Sequence, residues 1–150
     1  MEQKRRIIPP AWLALTLVAM WLVHRWWPIA TVDGSWRLFA GGVLLVAGIT
    51  MAASSSKSFK KAGTPVIPFE RSTVLVTDGL FRYTRNPMYL GMVVLLMGVA
   101  LLLGSAGACL PILVFAWIIQ TRFISGEERF LEEIFGEPYL AYKRQVRRWL

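Results

Sequence analysis

Four long apolar stretches, separated by short polar segments, constrain this chain more than any other feature of its sequence. They run over about residues 11–27, 36–53, 87–103 and 108–122. An α-helix needs roughly 20 apolar residues to cross a bilayer, so each stretch is close to one span. Because lipid offers the backbone no hydrogen-bond partners, such segments form helices or closed barrels. We therefore expect an all-α, polytopic membrane protein with about four transmembrane helices.

The overall composition supports a membrane class and a defined orientation. The 150 residues are 55% hydrophobic and 17% charged, with a net charge of +8, whereas soluble domains carry roughly 25% charged residues. Lys and Arg concentrate before the first stretch, after the second and at the C-terminus, which places both termini in the cytoplasm. We expect a single domain over 1–150 in a bacterial inner membrane. Its partner is the lipid bilayer, with anionic headgroups rather than nucleic acid as the contact of the basic patches.

Cysteine and histidine are too few for a disulfide framework or a metal site. Cys109 and His24 are the single residues of their types, and each lies in or at the end of an apolar stretch. A zinc site would need a cluster of such ligands, so no metal is expected.

The segment 57–86 is predicted to be an ordered cytoplasmic loop with a function. The second helix is expected to stop near Ala53, with Ser54–Ser56 as its polar exit, while Gly63, Pro65 and Pro68 exclude another long helix. Loops of this length are usually functional or disordered. The many apolar residues in the segment argue against disorder.

The C-terminal segment 123–150 is too polar to span and is predicted to form two interfacial helices. Ser125 and Glu128 fit a capping box, and that helix would stop at Gly136. Pro138 would open a second, amphipathic helix at the lipid headgroups. Its apolar side would consist of Tyr139, Tyr142, Val146 and Trp149, and its basic side of Lys143, Arg144, Arg147 and Arg148.

Two polar clusters flank the third and fourth stretches and are the candidate functional residues. One contains Arg82, Tyr83, Arg85, Asn86 and Tyr89; the other contains Arg122, Glu127 and Glu128. A helical hairpin would bring the two clusters together. Asn86 is a good helix N-cap before Pro87, and the helix start that it would cap attracts anionic groups.

These residues carry a resemblance to a known family. The heptapeptide Arg85-Asn86-Pro87-Met88-Tyr89-Leu90-Gly91 resembles the Arg-His-Pro-x-Tyr-x-Gly motif of integral-membrane methyltransferases. The preceding 75–81 and the pattern from Glu127 to Val146 resemble two further signatures of that family. It includes the isoprenylcysteine carboxyl methyltransferases and the phospholipid methyltransferases. The resemblance covers roughly 59–150.

The resemblance implies S-adenosylmethionine as cofactor and a lipophilic or lipid-presented acceptor. It places Glu127 as the acidic ligand and Arg122 beside the methyl acceptor, as the catalytic pair. The chemistry of the cofactor adds Arg85 for its carboxylate, and Glu127 or Glu128 for its ammonium or ribose. Asn86 replaces the family's histidine and cannot act as a base near neutral pH. The full set expected to hold the cofactor is Thr73, Val74, Leu75, Val76, Phe81, Arg85, Asn86, Pro87, Met88, Tyr89, Glu127 and Glu128.

Two other functions fit the same pattern of spans. One is a small four-helix transporter or membrane scaffold, although the spans lack the buried carboxylate that proton-coupled carriers usually use. The other is a reductase-like relative of the same architecture. The sequence leaves open the oligomeric state and the acceptor group, which could be a carboxylate, amine, thiol or hydroxyl.

Overall fold

The described chain is a bundle of helices. The computed structural model describes residues 8–27, 29–64 and 74–150, and within them no strand forms beyond an isolated bridge between Thr31 and Ser105. The α-helices are α1 (Pro9–Trp26), α2 (Trp36–Lys61), α3 (Pro87–Leu103), α4 (Leu110–Ile118), α5 (Ser125–Phe135) and α6 (Glu137–Gln145). Two 3₁₀ turns (Gly79–Arg82 and Ala106–Cys109) and a π-helical turn (Ile119–Ile124) complete the fold. The predicted all-α class is confirmed.

Apolar side chains lie both inside the bundle and on its outer faces. Met20, Leu96 and Ile119 are fully buried in the core. Residues such as Phe39 on α2 and Trp117 on α4 are largely exposed, as expected for helices that face lipid. Of the described helices, two are long and apolar enough to cross a bilayer, Trp36–Lys61 and the continuous Ala106–Phe135; Pro87–Leu103 is apolar but shorter.

The antiparallel helices α2 and α3 pack backbone to backbone through glycines spaced seven residues apart. A Cβ at Gly48 would lie 2.5 Å from the carbonyl oxygen of Gly91, and one at Gly98 would lie 2.7 Å from that of Gly41. Small residues permit such close approach in lipid. The prediction that the glycine-rich second helix packs centrally is wrong, because α2 packs chiefly against α3, and residues such as Phe39 and Val46 on its other faces are exposed.

We expect Gly48→Ala to destabilise the protein, because the new methyl group would overlap the α3 backbone. Forced overpacking costs about 1–3 kcal/mol of unfolding free energy, measurable by denaturant titration in detergent micelles. Gly42→Ala is the matched control, since nothing lies within 4 Å of a Cβ at that position. Equal stability of the two variants would contradict the close α2–α3 packing.

Helix α2 is longer than predicted, and the stop expected near Ala53 is wrong. The helix runs to Lys61, and Ser55 and Ser58 donate hydrogen bonds to the carbonyls of Met51 and Ser54. Because these hydroxyls bond within the helix, the serines do not end it. The extension carries Phe59 into edge-to-face contact with Phe81, at a centroid distance of 5.3 Å.

The capping box predicted at Ser125 is also wrong. Helices α4 and α5 are joined by the π-helical turn, and the residue before Ser125 is itself helical. The Ser125 hydroxyl donates backward to the carbonyl of Gln120 at 2.8 Å. The polar cluster at Glu127 and Glu128 is therefore carried on the extension of the fourth apolar helix.

The predicted second C-terminal helix forms as α6, but it is shorter than predicted and does not include the final residues. Helix α6 ends at Gln145, and Val146 is extended. Tyr139, Tyr142 and Val146 are buried in a small cluster of their own rather than presented outward to lipid headgroups. The segment after α6 instead forms hydrogen bonds with residues 84–86 and with Gln120.

Candidate active site

A cleft of about 520 Å³, including its open mouth, lies between the segment that precedes α3 and the α5–α6 pair. Mostly apolar side chains surround a few charged and polar ones. The lining residues are Phe59, Val74, Leu75, Val76, Phe81, Arg85, Asn86, Glu127, Glu128, Leu131, Tyr139 and Tyr142.

Arg85 brings an incompletely paired positive charge to this cleft. Its side chain is 9% exposed, and its Nη2 atom lies 3.2 Å from Oε1 of Glu128. Among the described residues its buried Nε and Nη1 atoms have no hydrogen-bond partner. Unpaired buried donors are costly, so this guanidinium is suited to receive an anionic group.

Glu128 is held from a second side by Arg148. The Nε and Nη2 atoms of Arg148 donate to the two carboxylate oxygens at 2.9 and 2.7 Å. This two-point geometry is the strong form of the Arg–carboxylate pair. Glu128 is therefore a paired, buried anion and not the capping residue that the sequence suggested.

Glu127 faces the cleft beside Glu128 without a cationic partner in the described part of the chain. Its Oε1 atom accepts a hydrogen bond of 2.6 Å from the hydroxyl of Tyr89. This bond joins the start of α3 to α5, so the predicted approach of the two polar clusters is confirmed. The carboxylate is available to a cationic group or to hydroxyl donors.

Asn86 occupies the N-cap position of α3 but does not cap it through its side chain. Its Nδ2 atom donates instead to the carbonyl of Arg148 at 2.9 Å. The role predicted for Asn86 as a capping side chain is therefore wrong. The amide is used to hold the C-terminal segment against the cleft.

Two tyrosines from α6 form one wall. The hydroxyl of Tyr142 donates to the carbonyl of Phe81 at 2.7 Å. Burial and the nearby Glu128 carboxylate raise the pKa of Tyr139 to about 12, with Arg85 acting in the opposite sense. Both rings are largely buried, so Tyr139 stays neutral at physiological pH.

The sequence-predicted site residues are mostly brought together. Val74, Leu75, Val76, Phe81, Arg85, Asn86, Glu127 and Glu128 line the cleft. Pro87, Met88 and Tyr89 form the adjoining first turn of α3, where Met88 packs against the main core. Thr73 lies outside the described residues. Arg122 is exposed in the π-helical turn, and it is not among the described lining residues, so its contact with an acceptor stays a prediction.

Five participating residues were not predicted as site residues: Phe59, Leu131, Tyr139, Tyr142 and Arg148. Leu131 and the tyrosines belong to the C-terminal signature, which was the available signal. Phe59 was assigned to a loop and Arg148 to a lipid-facing basic surface, because sequence spacing does not show which charges meet.

Comparisons with known proteins give consistent results. The profile of the phospholipid methyltransferase family matches residues 36–138. A protein-S-isoprenylcysteine O-methyltransferase of Schizosaccharomyces pombe is 34% identical over 73 residues, covering 49% of this chain and 31% of the relative. Protein-S-isoprenylcysteine O-methyltransferase A of Arabidopsis thaliana is 29% identical over 125 residues, covering 83% and 60%. The chain thus matches less than two thirds of either relative.

A solved structure extends the likeness to the whole fold. The structure of the eukaryotic intramembrane Ras methyltransferase, an isoprenylcysteine carboxyl methyltransferase, superposes with a TM-score of 0.70 over 100% of this chain and 53% of its own, at 20% identity. At that identity the match shows the fold. The family profile covers more than two thirds of the sequence, and the chain is an integral-membrane protein that belongs to the phospholipid methyltransferase family.

Proposed function

We propose that this protein transfers a methyl group from S-adenosylmethionine to a lipophilic or lipid-presented acceptor. The observation that carries the proposal is Arg85, which lines the cleft together with the family's motif residues and has two buried donors without a hydrogen-bond partner among the described residues. The cofactor combines a carboxylate, an ammonium and an adenine ring whose flat aromatic faces pack against apolar side chains. The cleft offers a cation, a carboxylate and an apolar wall to match them.

The charged parts of the cofactor match two residues of the cleft. Arg85 would receive the carboxylate on Nε and Nη1. Glu127 would accept from the ammonium or from the ribose hydroxyls, held in place by the hydroxyl of Tyr89. Both are charge-assisted hydrogen bonds, which are the stronger kind.

The apolar part of the cleft would take the adenosine. Val74, Leu75 and Val76 lie beside Phe81 and Phe59 in the lining. Leu131 and the α6 tyrosines complete the wall on the opposite side. A dry surrounding strengthens the electrostatic contacts to the charged groups.

The chain contributes positioning rather than acid–base chemistry. When bound, S-adenosylmethionine would supply an electrophilic methyl group on its sulfonium, which the acceptor's nucleophile attacks in line with S-adenosylhomocysteine as the leaving group. The residues of the cleft hold donor and acceptor in register and exclude water, which accounts for much of the rate in reactions of this kind. Asn86 is committed to the carbonyl of Arg148 and has no proton-accepting role.

The membrane arrangement gives the two reactants separate routes. We place both termini and the cleft on the cytoplasmic side of a bacterial inner membrane, by the distribution of Lys and Arg. The cofactor then arrives from the cytoplasm and the acceptor from the bilayer. The 150 residues act as one methyltransferase-like unit.

The direct test is calorimetric titration of the purified protein in detergent with S-adenosylhomocysteine, the product form of the cofactor. We expect saturable binding with a dissociation constant in the micromolar range. Absence of heat at high micromolar ligand contradicts the proposal, and binding of a reduced nicotinamide nucleotide instead would favour the reductase-like alternative. Transfer of a labelled methyl group into a membrane lipid extract, followed by analysis of the product, then identifies the acceptor class.

A further inference from the structure

We propose that residues 146–150 form a strap that keeps Arg85 available for the ligand, and that Arg148 is the positioning residue through which the strap acts. The inference rests on the proposed function, because the ligand group in question is the carboxylate of the cofactor. It assigns to Arg148 a role in binding without contact with the ligand.

The strap is tied by its own backbone to the motif loop, residues 79–86, which comes directly before α3. Three groups of the loop donate to two consecutive carbonyl oxygens of the strap. The backbone N–H of Arg85 donates to the carbonyl of Arg147 at 3.0 Å. The Thr84 hydroxyl and the side-chain amide of Asn86 donate to the carbonyl of Arg148 at 3.2 and 2.9 Å. The main chain around Arg148 is therefore fixed directly beside Arg85.

A side-chain bond secures the far end of the strap to the bundle. The indole Nε1 of Trp149 donates to Oε1 of Gln120 at 2.9 Å. Gln120 lies in the π-helical turn that precedes α5. The strap thus joins the motif loop, α5 and this turn, and the three elements hold Arg148 in one orientation.

Arg148 and Arg85 compete for the same carboxylate. Arg148 occupies both oxygens of Glu128, whereas Arg85 reaches only Oε1 at 3.2 Å through a single nitrogen. An arginine prefers a two-point pair with a carboxylate. While Arg148 occupies both oxygens, Arg85 keeps a single contact with Glu128, and its Nε and Nη1 atoms have no hydrogen-bond partner among the described residues.

Removal of Arg148 would release Glu128 to Arg85. The Arg85 guanidinium would then form a two-point pair with both carboxylate oxygens, and its positive charge would be neutralised within the protein. The ligand carboxylate would lose its partner although no ligand contact had been deleted. Removing the Glu128 carboxylate as well would free Arg85 again.

The experiment measures binding across this cycle with two ligands. S-adenosylhomocysteine carries the carboxylate, and methylthioadenosine lacks the whole amino-acid part. We expect Arg148→Gln to weaken the binding of S-adenosylhomocysteine by about tenfold or more, which is the scale of one hydrogen bond to a charged group. The affinity for methylthioadenosine should change less than about threefold. The double variant Glu128→Gln/Arg148→Gln should recover much of the loss, as a coupled pair requires.

Two further variants control for folding and for general charge. Arg147→Gln removes a neighbouring exposed cation while keeping the backbone carbonyl that Arg85 uses, and it should bind both ligands like wild type. Arg148→Lys keeps the positive charge but cannot form the two-point pair of a guanidinium. We expect it to lose an intermediate amount of affinity for S-adenosylhomocysteine. It replaces Arg148→Gln in the test if that variant does not fold.

The outcomes separate the strap from the proposed function. Three results would each overturn the positioning role. They are an equal loss of affinity for both ligands in Arg148→Gln, no loss of affinity in that variant, or a double variant that binds S-adenosylhomocysteine more weakly than Arg148→Gln does. Failure of the wild-type protein to bind S-adenosylhomocysteine would overturn the proposed function, and the strap's role with it.

Discussion

Arg85→Met is expected to weaken binding of S-adenosylhomocysteine by about a hundredfold, corresponding to about 2.7 kcal/mol. The side chain is nearly buried, and two of its donors have no partner in the described structure. A ligand carboxylate that accepts from both donors gains two charge-assisted hydrogen bonds. Titration calorimetry on the variant measures the change.

The same substitution should leave the ligand-free protein about as stable as wild type. Removing Arg85 also removes two unpaired buried donors, whose desolvation already costs free energy. Glu128 keeps its two-point pair with Arg148, so no buried charge is stranded. A loss of affinity without a matching fall in unfolding temperature distinguishes a ligand-binding arginine from a structural one.

Arg82→Met is the matched control, three residues earlier in the same loop. Arg82 pairs with Asp78 at 3.0 Å, and its side chain is 70% exposed. Exposed pairs of this kind contribute little, and the affinity should stay within about twofold of wild type. Unchanged affinity in Arg85→Met would show that the carboxylate is not held there.

The all-α class and the approach of the two polar clusters could be predicted because they follow from the apolarity and the order of the segments. Length and apolarity set the helices that cross lipid, and small residues such as Gly48 mark where helices approach closely. A hairpin between apolar runs brings its ends together, which is why Tyr89 and Glu127 were expected to be neighbours.

Helix ends were predicted less well because a polar side chain can form its hydrogen bonds in more than one arrangement. Ser55 and Ser125 look like exit and capping signals, yet both donate back to a preceding helical carbonyl. Such back-bonding allows a helix to continue through a hydroxyl. The outcome depended on the tertiary packing of α2 and of the π-helical turn.

The C-terminal strap shows the limit of periodicity. Val146 and Trp149 continue the spacing of Tyr139 and Tyr142, so the sequence predicted one amphipathic helix. The chain becomes extended at Val146. The carbonyls of Arg147 and Arg148 then accept hydrogen bonds from residues 84–86, and the side chain of Arg148 pairs with Glu128. Glu128, 20 residues from Arg148, could not be identified as that partner from the sequence alone.

Glu127→Gln is expected to weaken the binding of S-adenosylhomocysteine by about thirtyfold, since it removes the carboxylate that has no cation partner in the described chain. Tyr89→Phe should cost less, about threefold to tenfold, because the carboxylate remains and loses only its 2.6 Å bond to the tyrosine. The order of these two losses follows from Glu127 as the contact and Tyr89 as its support. Calorimetry with both variants checks it.

Methylthioadenosine decides which part of the ligand Glu127 holds. If the carboxylate accepts from the ammonium, Glu127→Gln should bind methylthioadenosine like wild type, because that ligand has no ammonium. A contact with the ribose hydroxyls would weaken both ligands alike, since both carry them. Glu133→Gln, an exposed position on the same helix, should change neither affinity. If Glu127→Gln also leaves both affinities unchanged, Glu127 is not a ligand, and its bond to Tyr89 serves only to join α3 to α5.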